Sequence, residues 1–449
     1  MSPPPCSTAD LAPTNLTSTV MTNGTGKLTK ATNGTALAEL DPSKLKVTIT
    51  SSPKAYSSPD STQWGMMDAT TDHMITARWT DTHGWHAPEL RPYARMDLWP
   101  TASCLHYATE CFEGLKAYRG FDGKVRLFRP SRNAARFLTS STRIACPTFP
   151  PDAVEELIKA LLAVDAAKWV PEPGTFIYIR PTMIGTGRAL GVQKPREALF
   201  YIIMAQFPKL DNPMKLLASS EDSIRAWPGG FGFAKVGANY GPSLMAQKEA
   251  QTKGYDQILW LFGKEAYVTE AGASNFFCVI KSKTTDKLEL VTAPLDDKII
   301  LDGVTRRSVL ELARERLADE MDVVERRYTM QDLAEAHDEG RLVESFAAGT
   351  AFFVAPVTDI HFRGKDIRPA KGGEEGTYTN KIKSWLVDIM YGNAAHEWGV
   401  VVEEKGFKSE DLAEEEIEAL MEKIKTLKAS KAWDAAMERM KTEELGEDN

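Results

Sequence analysis

Short β-rich runs alternating with helical stretches, a turn-rich break near residue 210 and a length of 449 residues predict a two-domain fold of the mixed α+β or α/β class. A chain this long exceeds what one hydrophobic core ordinarily serves. The predicted division is a disordered tail over 1–45, a small α+β domain over 46–207, a linker over 208–214, a large domain over 215–404 and a helical extension over 405–449.

Residues 1–45 contain no aromatic side chain and are rich in Ser, Thr, Pro, Asn and Gly, so they bury too little apolar surface to offset the entropy of ordering. In the first domain the runs 75–79, 125–128, 176–180 and 199–205 read as strands. A helix is predicted over 153–163, where Val154, Leu157, Leu161 and Leu162 fall on one face. The segment Pro208-Lys-Leu-Asp-Asn-Pro213 carries the turn residues of a linker. In the second domain 256–262, 275–280 and 288–291 read as strands in quick succession. Gly303-Val-Thr-Arg-Arg-Ser then leads into a helix whose apolar positions are Val309, Leu310, Ala313 and Leu317. Beyond Glu404, Ser409 is a plausible N-cap, and Ile417, Leu420, Met421, Ile424 and Leu427 form one apolar stripe, with Trp433, Ala436, Met437 and Met440 forming another.

Composition narrows the function. Hydrophobic content of 43% with 26% charge is that of a soluble globular protein, and a net charge of −8 gives no reason to expect nucleic acid. The expected partners are small molecules. Five cysteines form no CxxC pair and fit a reducing compartment without disulfides. No apolar run approaches the roughly 20 residues that span a bilayer. The amino-terminal region lacks the Arg-rich amphipathic character of a mitochondrial presequence, which makes the cytoplasm the expected compartment and the mitochondrion the alternative. The seven histidines include no HExxH pattern, so no metal site is expected.

Lys235 sits in the apolar, glycine-rich stretch 231–241. An ammonium shielded from water shifts toward its neutral amine, the form that attacks a carbonyl to make a Schiff base. The plain alternative is a salt-bridged or snorkelling lysine. Its surroundings supply what pyridoxal phosphate requires. Glu270, on a predicted turn before 275–280, could pair with a pyridine nitrogen, and Tyr240 could meet the phenolic oxygen. Gly303-Val304-Thr305 at a helix N-terminus and the Gly349-Thr350-Ala351 turn offer backbone N–H groups to a phosphate, although either could be an ordinary cap or loop.

Many segments follow one another in a recognisable order between about residues 64 and 400: Thr71-Asp-His-Met, Leu105-His-Tyr-Ala, Cys111-Phe-Glu-Gly-Leu-Lys-Ala-Tyr-Arg119, Val125-Arg-Leu-Phe-Arg-Pro130, Tyr178-Ile-Arg-Pro181, Lys235-Val-Gly-Ala-Asn-Tyr240-Gly-Pro, Gly254-Tyr-Asp-Gln-Ile-Leu-Trp-Leu, Thr269-Glu-Ala-Gly272, Gly349-Thr-Ala351 and His396-Glu-Trp398. Together they resemble the branched-chain aminotransferases, fold-type IV pyridoxal phosphate enzymes with a D-amino-acid-aminotransferase-like fold. The resemblance implies that Lys235 holds the cofactor covalently and shuttles the proton between substrate Cα and cofactor C4′, with Glu270 at the pyridine nitrogen and Tyr240 at the ring oxygen. It further implies that Arg136, the amides of Val304 and Thr305 and the Thr350 hydroxyl bind phosphate, an arginine being apt for its planar fork. The amides of Thr350 and Ala351 would take the substrate α-carboxylate. Tyr107, Phe112 and Tyr178 would line the side-chain pocket, and Arg180 would meet the γ-carboxylate of glutamate or else form a strand-end ion pair. The implied reaction is ping-pong transfer between a branched-chain L-amino acid and 2-oxoglutarate by a homodimer whose pocket is completed across the interface.

Three departures stand out. The segment Trp64-Gly-Met-Met-Asp-Ala-Thr-Thr-Asp72 is two residues longer than the family's pattern and lacks its second phenylalanine, which puts side-chain preference in question. Phe352-Phe-Val-Ala355 stands where mammalian members carry a redox CxxC. The 45 residues after Glu404 have no counterpart in most members. The alternatives are an aminotransferase for a modified apolar amino acid in secondary metabolism, a D-amino-acid aminotransferase, an aminodeoxychorismate lyase, or a non-enzymatic cofactor-binding interaction protein.

Overall fold

The computed structural model describes residues 36–56, 67–210, 212–285, 287–370 and 377–404. The start of the Trp64 segment and the expected C-terminal helices lie outside the described residues.

Two sheets organise the chain. Among the described residues the first has ten strands, with central order Glu89–Pro92, His73–Thr80, Glu197–Ala205, Phe176–Gly185, Leu115–Arg119, Val125–Phe128 and Gly399–Val402. These neighbours pair antiparallel. Strand Glu197–Ala205 alternates half-buried and buried along its whole length, as a period-two side-chain pattern requires. Its buried face meets the helices Pro130–Arg143 and Pro151–Trp169, each opened by a proline in the first turn, where a missing N–H costs nothing. Leu157, Leu161 and Leu162 are fully buried in that core, a contribution of about 1.5–3 kcal/mol each by area removed from water.

The predicted tail ends earlier than residue 45. Leu40 is buried in the first core, with Leu37 and Leu45 packed against it, and the Ala38 N–H donates to the His83 carbonyl. Composition undervalues these leucines because no aromatic accompanies them. The following segment is tied down by polar groups. Asp72 accepts from the Lys54 N–H at 2.7 Å, from Lys168 Nζ at 2.6 Å and from Trp169 Nε1 at 3.0 Å. His73 Nε2 accepts the Thr50 N–H at 2.9 Å, so the ring proton sits on Nδ1 and is donated to Asp165 at 2.6 Å.

The second sheet has nine strands among the described residues. Tyr267–Ala271 pairs with both Gln257–Phe262 and Ser274–Lys281, so the path through Met214–Ala218, Val354–Phe362 and Leu342–Ala348 closes into a barrel. The helix Val304–Arg316 is the crossover between the parallel strands Leu288–Thr292 and Met321–Glu325. A third apolar cluster takes Tyr118 and Phe128 from the first sheet and Phe277 and Phe346 from the second, with Ile382 and Leu386 of the helix Thr377–Tyr391. The last strand, Gly399–Val402, returns to pair with Val125–Phe128 of the first sheet. Among the described residues no helix is long and apolar enough to cross a membrane.

Candidate active site

Lys235 lies at the seam of the two sheets because its backbone is held by the first. The Phe112 N–H donates to the Lys235 carbonyl at 3.0 Å, Cys111 bridges Val236, and the Lys235 N–H donates to Ser140 Oγ at 2.8 Å. Asn239 closes the loop by donating to the carbonyls of Phe231 and Ala234. The side chain is half-buried. Its Nζ donates to the Tyr240 hydroxyl at 3.1 Å and lies 4.9 Å from the centre of the Phe112 ring, which packs on Tyr240 at 5.1 Å. Burial pushes the Tyr240 phenol up, but the charges of Lys235, Arg225 and Arg136 outweigh it and hold the group below its ordinary value. Three cations therefore converge electrostatically on one phenol.

The sequence places Glu270 on a turn; it lies instead in the strand Tyr267–Ala271, because the Leu259–Ala271 pairing carries the ladder further and the turn falls at Gly272, in the left-handed region. At 3% exposure the Glu270 carboxylate is fully engaged. One oxygen accepts from Asn275 Nδ2 and the Leu301 N–H, each at 3.3 Å, and the other contacts Arg225 Nη2. Arg225 is itself buried, and burial holds its guanidinium below the usual value.

Asn275 also fixes the helix end expected to take phosphate. Its amide donates to the Leu301 carbonyl at 2.9 Å, and a Cβ on Gly303 would collide with its side chain, so Gly303 is needed where the helix Val304–Arg316 begins. That helix has no side-chain cap, which leaves its first N–H groups, those of Val304 and Thr305, open by helix geometry. The Thr305 hydroxyl donates to the Gly349 carbonyl at 3.1 Å, and Val304, Thr305, Gly349 and Thr350 line one narrow cleft with Lys116 and Asn133. Arg136 reaches the same helix end, with Nη1 donating to the Asp302 carbonyl at 2.9 Å. Its Nε and Nη2 donate to the two oxygens of Glu113 at 2.7 and 2.8 Å, which leaves two of its five N–H groups for another acceptor.

The predicted substrate residues divide. Phe112, Tyr178 and Arg180 are together: Arg180 Nη2 donates to the Tyr178 hydroxyl at 3.1 Å, and the guanidinium lies 4.6 Å from the Phe112 ring centre. Among the described residues Arg180 is thus in no strand-end ion pair, and its buried Nε has no hydrogen-bond partner. Thr350 and Ala351 form the half-buried turn after Leu342–Ala348. Tyr107 stands apart at the surface, its hydroxyl donating to the Leu190 carbonyl at 2.5 Å.

The residues present fit pyridoxal phosphate. An amine and a phenol lie within a hydrogen bond, a buried carboxylate has its counter-ion, an uncapped helix N-terminus meets an arginine with spare donors, and Arg180 and Arg225 each keep a buried Nε without a partner among the described residues. Sequence reasoning missed Arg225 and Glu113. Glu113 stood in a quoted segment with no role assigned, while nothing local to Arg225 signals its pairing across 45 residues with Glu270.

Residues 110–360 match the family described as amino-transferase class IV. The chain is 44% identical over 369 residues to the mitochondrial branched-chain-amino-acid aminotransferase of Schizosaccharomyces pombe, covering 80% of this chain and 85% of the relative. It is 43% identical over 377 residues to the cytosolic one of Saccharomyces cerevisiae, covering 82% and 98%. Among solved structures it resembles the branched-chain amino acid aminotransferase of Thermobaculum terrenum in its PLP form, with a TM-score of 0.59 and 25% identity over 75% of this chain and 99% of that one. It also resembles the T.th. branched-chain amino acid aminotransferase complexed with N-(5'-phosphopyridoxyl)-L-glutamate, with a TM-score of 0.57 and 26% identity over 73% and 98%.

Proposed function

Because the chain belongs to the class IV amino-transferases, and within them to the branched-chain-amino-acid aminotransferases, we propose that it moves the amino group between L-leucine, L-isoleucine or L-valine and 2-oxoglutarate in a ping-pong reaction dependent on pyridoxal phosphate. The cofactor, when bound, supplies the aldehyde and the electron-withdrawing ring on which transamination depends. Lys235 Nζ provides the amine and moves the proton at substrate Cα. Glu270, with Arg225 as counter-ion, would hold the pyridine nitrogen, and Tyr240 would hold the ring oxygen. Arg136 and the amides of Val304 and Thr305 hold phosphate with the Thr350 hydroxyl, while the Thr350 and Ala351 amides orient the substrate carboxylate. Phe112 and Tyr178 enclose an aliphatic side chain and exclude water, and Arg180 recognises the distal carboxylate of glutamate in the second half-reaction.

The chain is proposed to work as a homodimer. Trp99, Leu105, Leu190 and Val192 are all more than half exposed around Tyr107, an apolar surface that a second copy would cover while Tyr107 reaches that copy's pocket. The cytoplasm is the proposed compartment and the mitochondrion the alternative, the relatives including a cytosolic and a mitochondrial enzyme; cell fractionation tests it.

The observation that carries the reading is the 3.1 Å contact of Lys235 Nζ with Tyr240 in a site where Glu270 keeps a buried arginine as its partner. Steady-state turnover of leucine, isoleucine and valine with 2-oxoglutarate tests it. The Lys235→Ala variant should lose at least roughly 10³-fold in turnover. Leucine turnover retained by that variant would overturn the assignment.

A further inference from the structure

Gly114 follows Phe112 and Glu113 in the chain, and its φ lies outside the left-handed region, so the backbone there suits any L residue. Space is what forbids a side chain. A Cβ on Gly114 would overlap the Tyr178 hydroxyl oxygen and stand 2.9 Å from Cζ of the same ring. Both groups are held in place. The Gly114 N–H donates to Glu113 Oε2 at 3.2 Å, and the Gly114 carbonyl accepts from Asn133 Nδ2 at 3.3 Å. Tyr178 is 6% exposed, lies in a strand paired to Lys116 on one side and Ala205 on the other, and stacks on Phe207 with ring centres 4.6 Å apart. The missing side chain therefore leaves the space in which the Tyr178 hydroxyl accepts from Arg180 Nη2 at 3.1 Å.

We propose that Gly114 is a specificity-determining position, which keeps the Arg180 guanidinium oriented for a dicarboxylate by making room for the Tyr178 hydroxyl. The inference rests on the role given to Arg180 above and deepens it. The guanidinium lies 4.6 Å from the Phe112 ring centre, and its buried Nε has no hydrogen-bond partner among the described residues, a donor that a ligand carboxylate would satisfy. Recognition of a carboxylate by this planar fork depends on its orientation, which the Tyr178 hydrogen bond sets. An aliphatic side chain makes no such demand. It needs only the apolar faces of Phe112 and Tyr178, whose attraction is not directional. A methyl group at position 114 therefore discriminates between the two substrate classes, and it acts through Tyr178 without touching either substrate.

Isothermal titration of the holoenzyme with two unreactive acids, glutarate and 4-methylpentanoate, tests this. Gly114→Ala should weaken glutarate roughly tenfold, as expected for loss of a hydrogen bond to a charged group, and 4-methylpentanoate less than about threefold. The KM for 2-oxoglutarate should rise with the glutarate dissociation constant while kcat holds. Tyr178→Phe should give the same selective loss, and adding Gly114→Ala to it should cost less than about twofold more, because both changes act through one hydroxyl. Equal weakening of the two acids, unchanged glutarate binding, or additive losses in the double variant would each overturn the proposal. Should Gly114→Ala fail to fold, Tyr178→Phe decides by the same ratio of the two acids. Arg180→Ala separates the two readings: if it leaves glutarate binding intact, the role of Arg180 falls and this proposal with it, whereas a loss confined to Arg180→Ala overturns the proposal for Gly114 alone.

Discussion

Arg136 is oriented by Glu113, whose carboxylate is buried and accepts from both Nε and Nη2 of the guanidinium and from Asn133 Nδ2. Burial alone would lower the Arg136 pKa; the Glu113 charge reverses that and raises it. Replacing Glu113 by glutamine keeps the shape but leaves a buried cation with a neutral partner, a loss on the order of 3 kcal/mol in unfolding free energy. Cofactor affinity, followed by spectroscopic titration, should fall roughly tenfold, the factor that about 1.4 kcal/mol of lost positioning gives. Unchanged affinity would show that Arg136 needs no orienting partner. The sequence marked Lys235 through its local setting and Arg136 through the family resemblance, whereas Glu113 and Arg225 act on partners far along the chain, which no local pattern reports.

Among the elements, the segment 48–56 is held on the first sheet chiefly through Asp72, which ties Lys54 to the end of the helix Pro151–Trp169. Burial works to raise the Asp72 carboxyl, but the hydrogen bonds from Lys168, the Lys54 N–H and Trp169 prevail, and the group sits below its ordinary value. A carboxyl depressed in the folded state stabilises the protein above its unfolded pKa, and that stability is lost as pH falls through the folded value. Chemical denaturation at pH 7 should find Asp72→Asn about 2 kcal/mol less stable than the parent chain, given what hydrogen bonds to a charged group contribute. The difference should shrink below about pH 4 as the parent's own carboxyl is protonated; a difference constant with pH would rule out the ionised carboxylate as its source. Period-two and helical patterns made the strands and the helix near 153–163 readable, since one buried face per element leaves its trace in the sequence. They missed the packing of 36–45, which depends on isolated leucines finding a surface built by distant strands.

For the molecule as a whole, the exposed apolar surface around Tyr107 predicts that Val192→Asp, which puts a charge at a position 86% exposed, converts a dimer into monomers in gel filtration with light scattering. A monomeric parent chain, or a dimer indifferent to the change, would exclude this surface as the interface. The linear order of residues settled the mixed fold class and the family, and it marked the lysine and its proposed ring partners, because turn chemistry, periodicity and the residue types a reaction demands are local properties. Folding alone settled that the second sheet closes on itself, that Gly399–Val402 returns to the first, that Arg225 meets Glu270 and that Phe207 stacks on Tyr178. Each of these joins groups separated by many residues, and such contacts follow from how the two sheets pack rather than from any pattern along the chain.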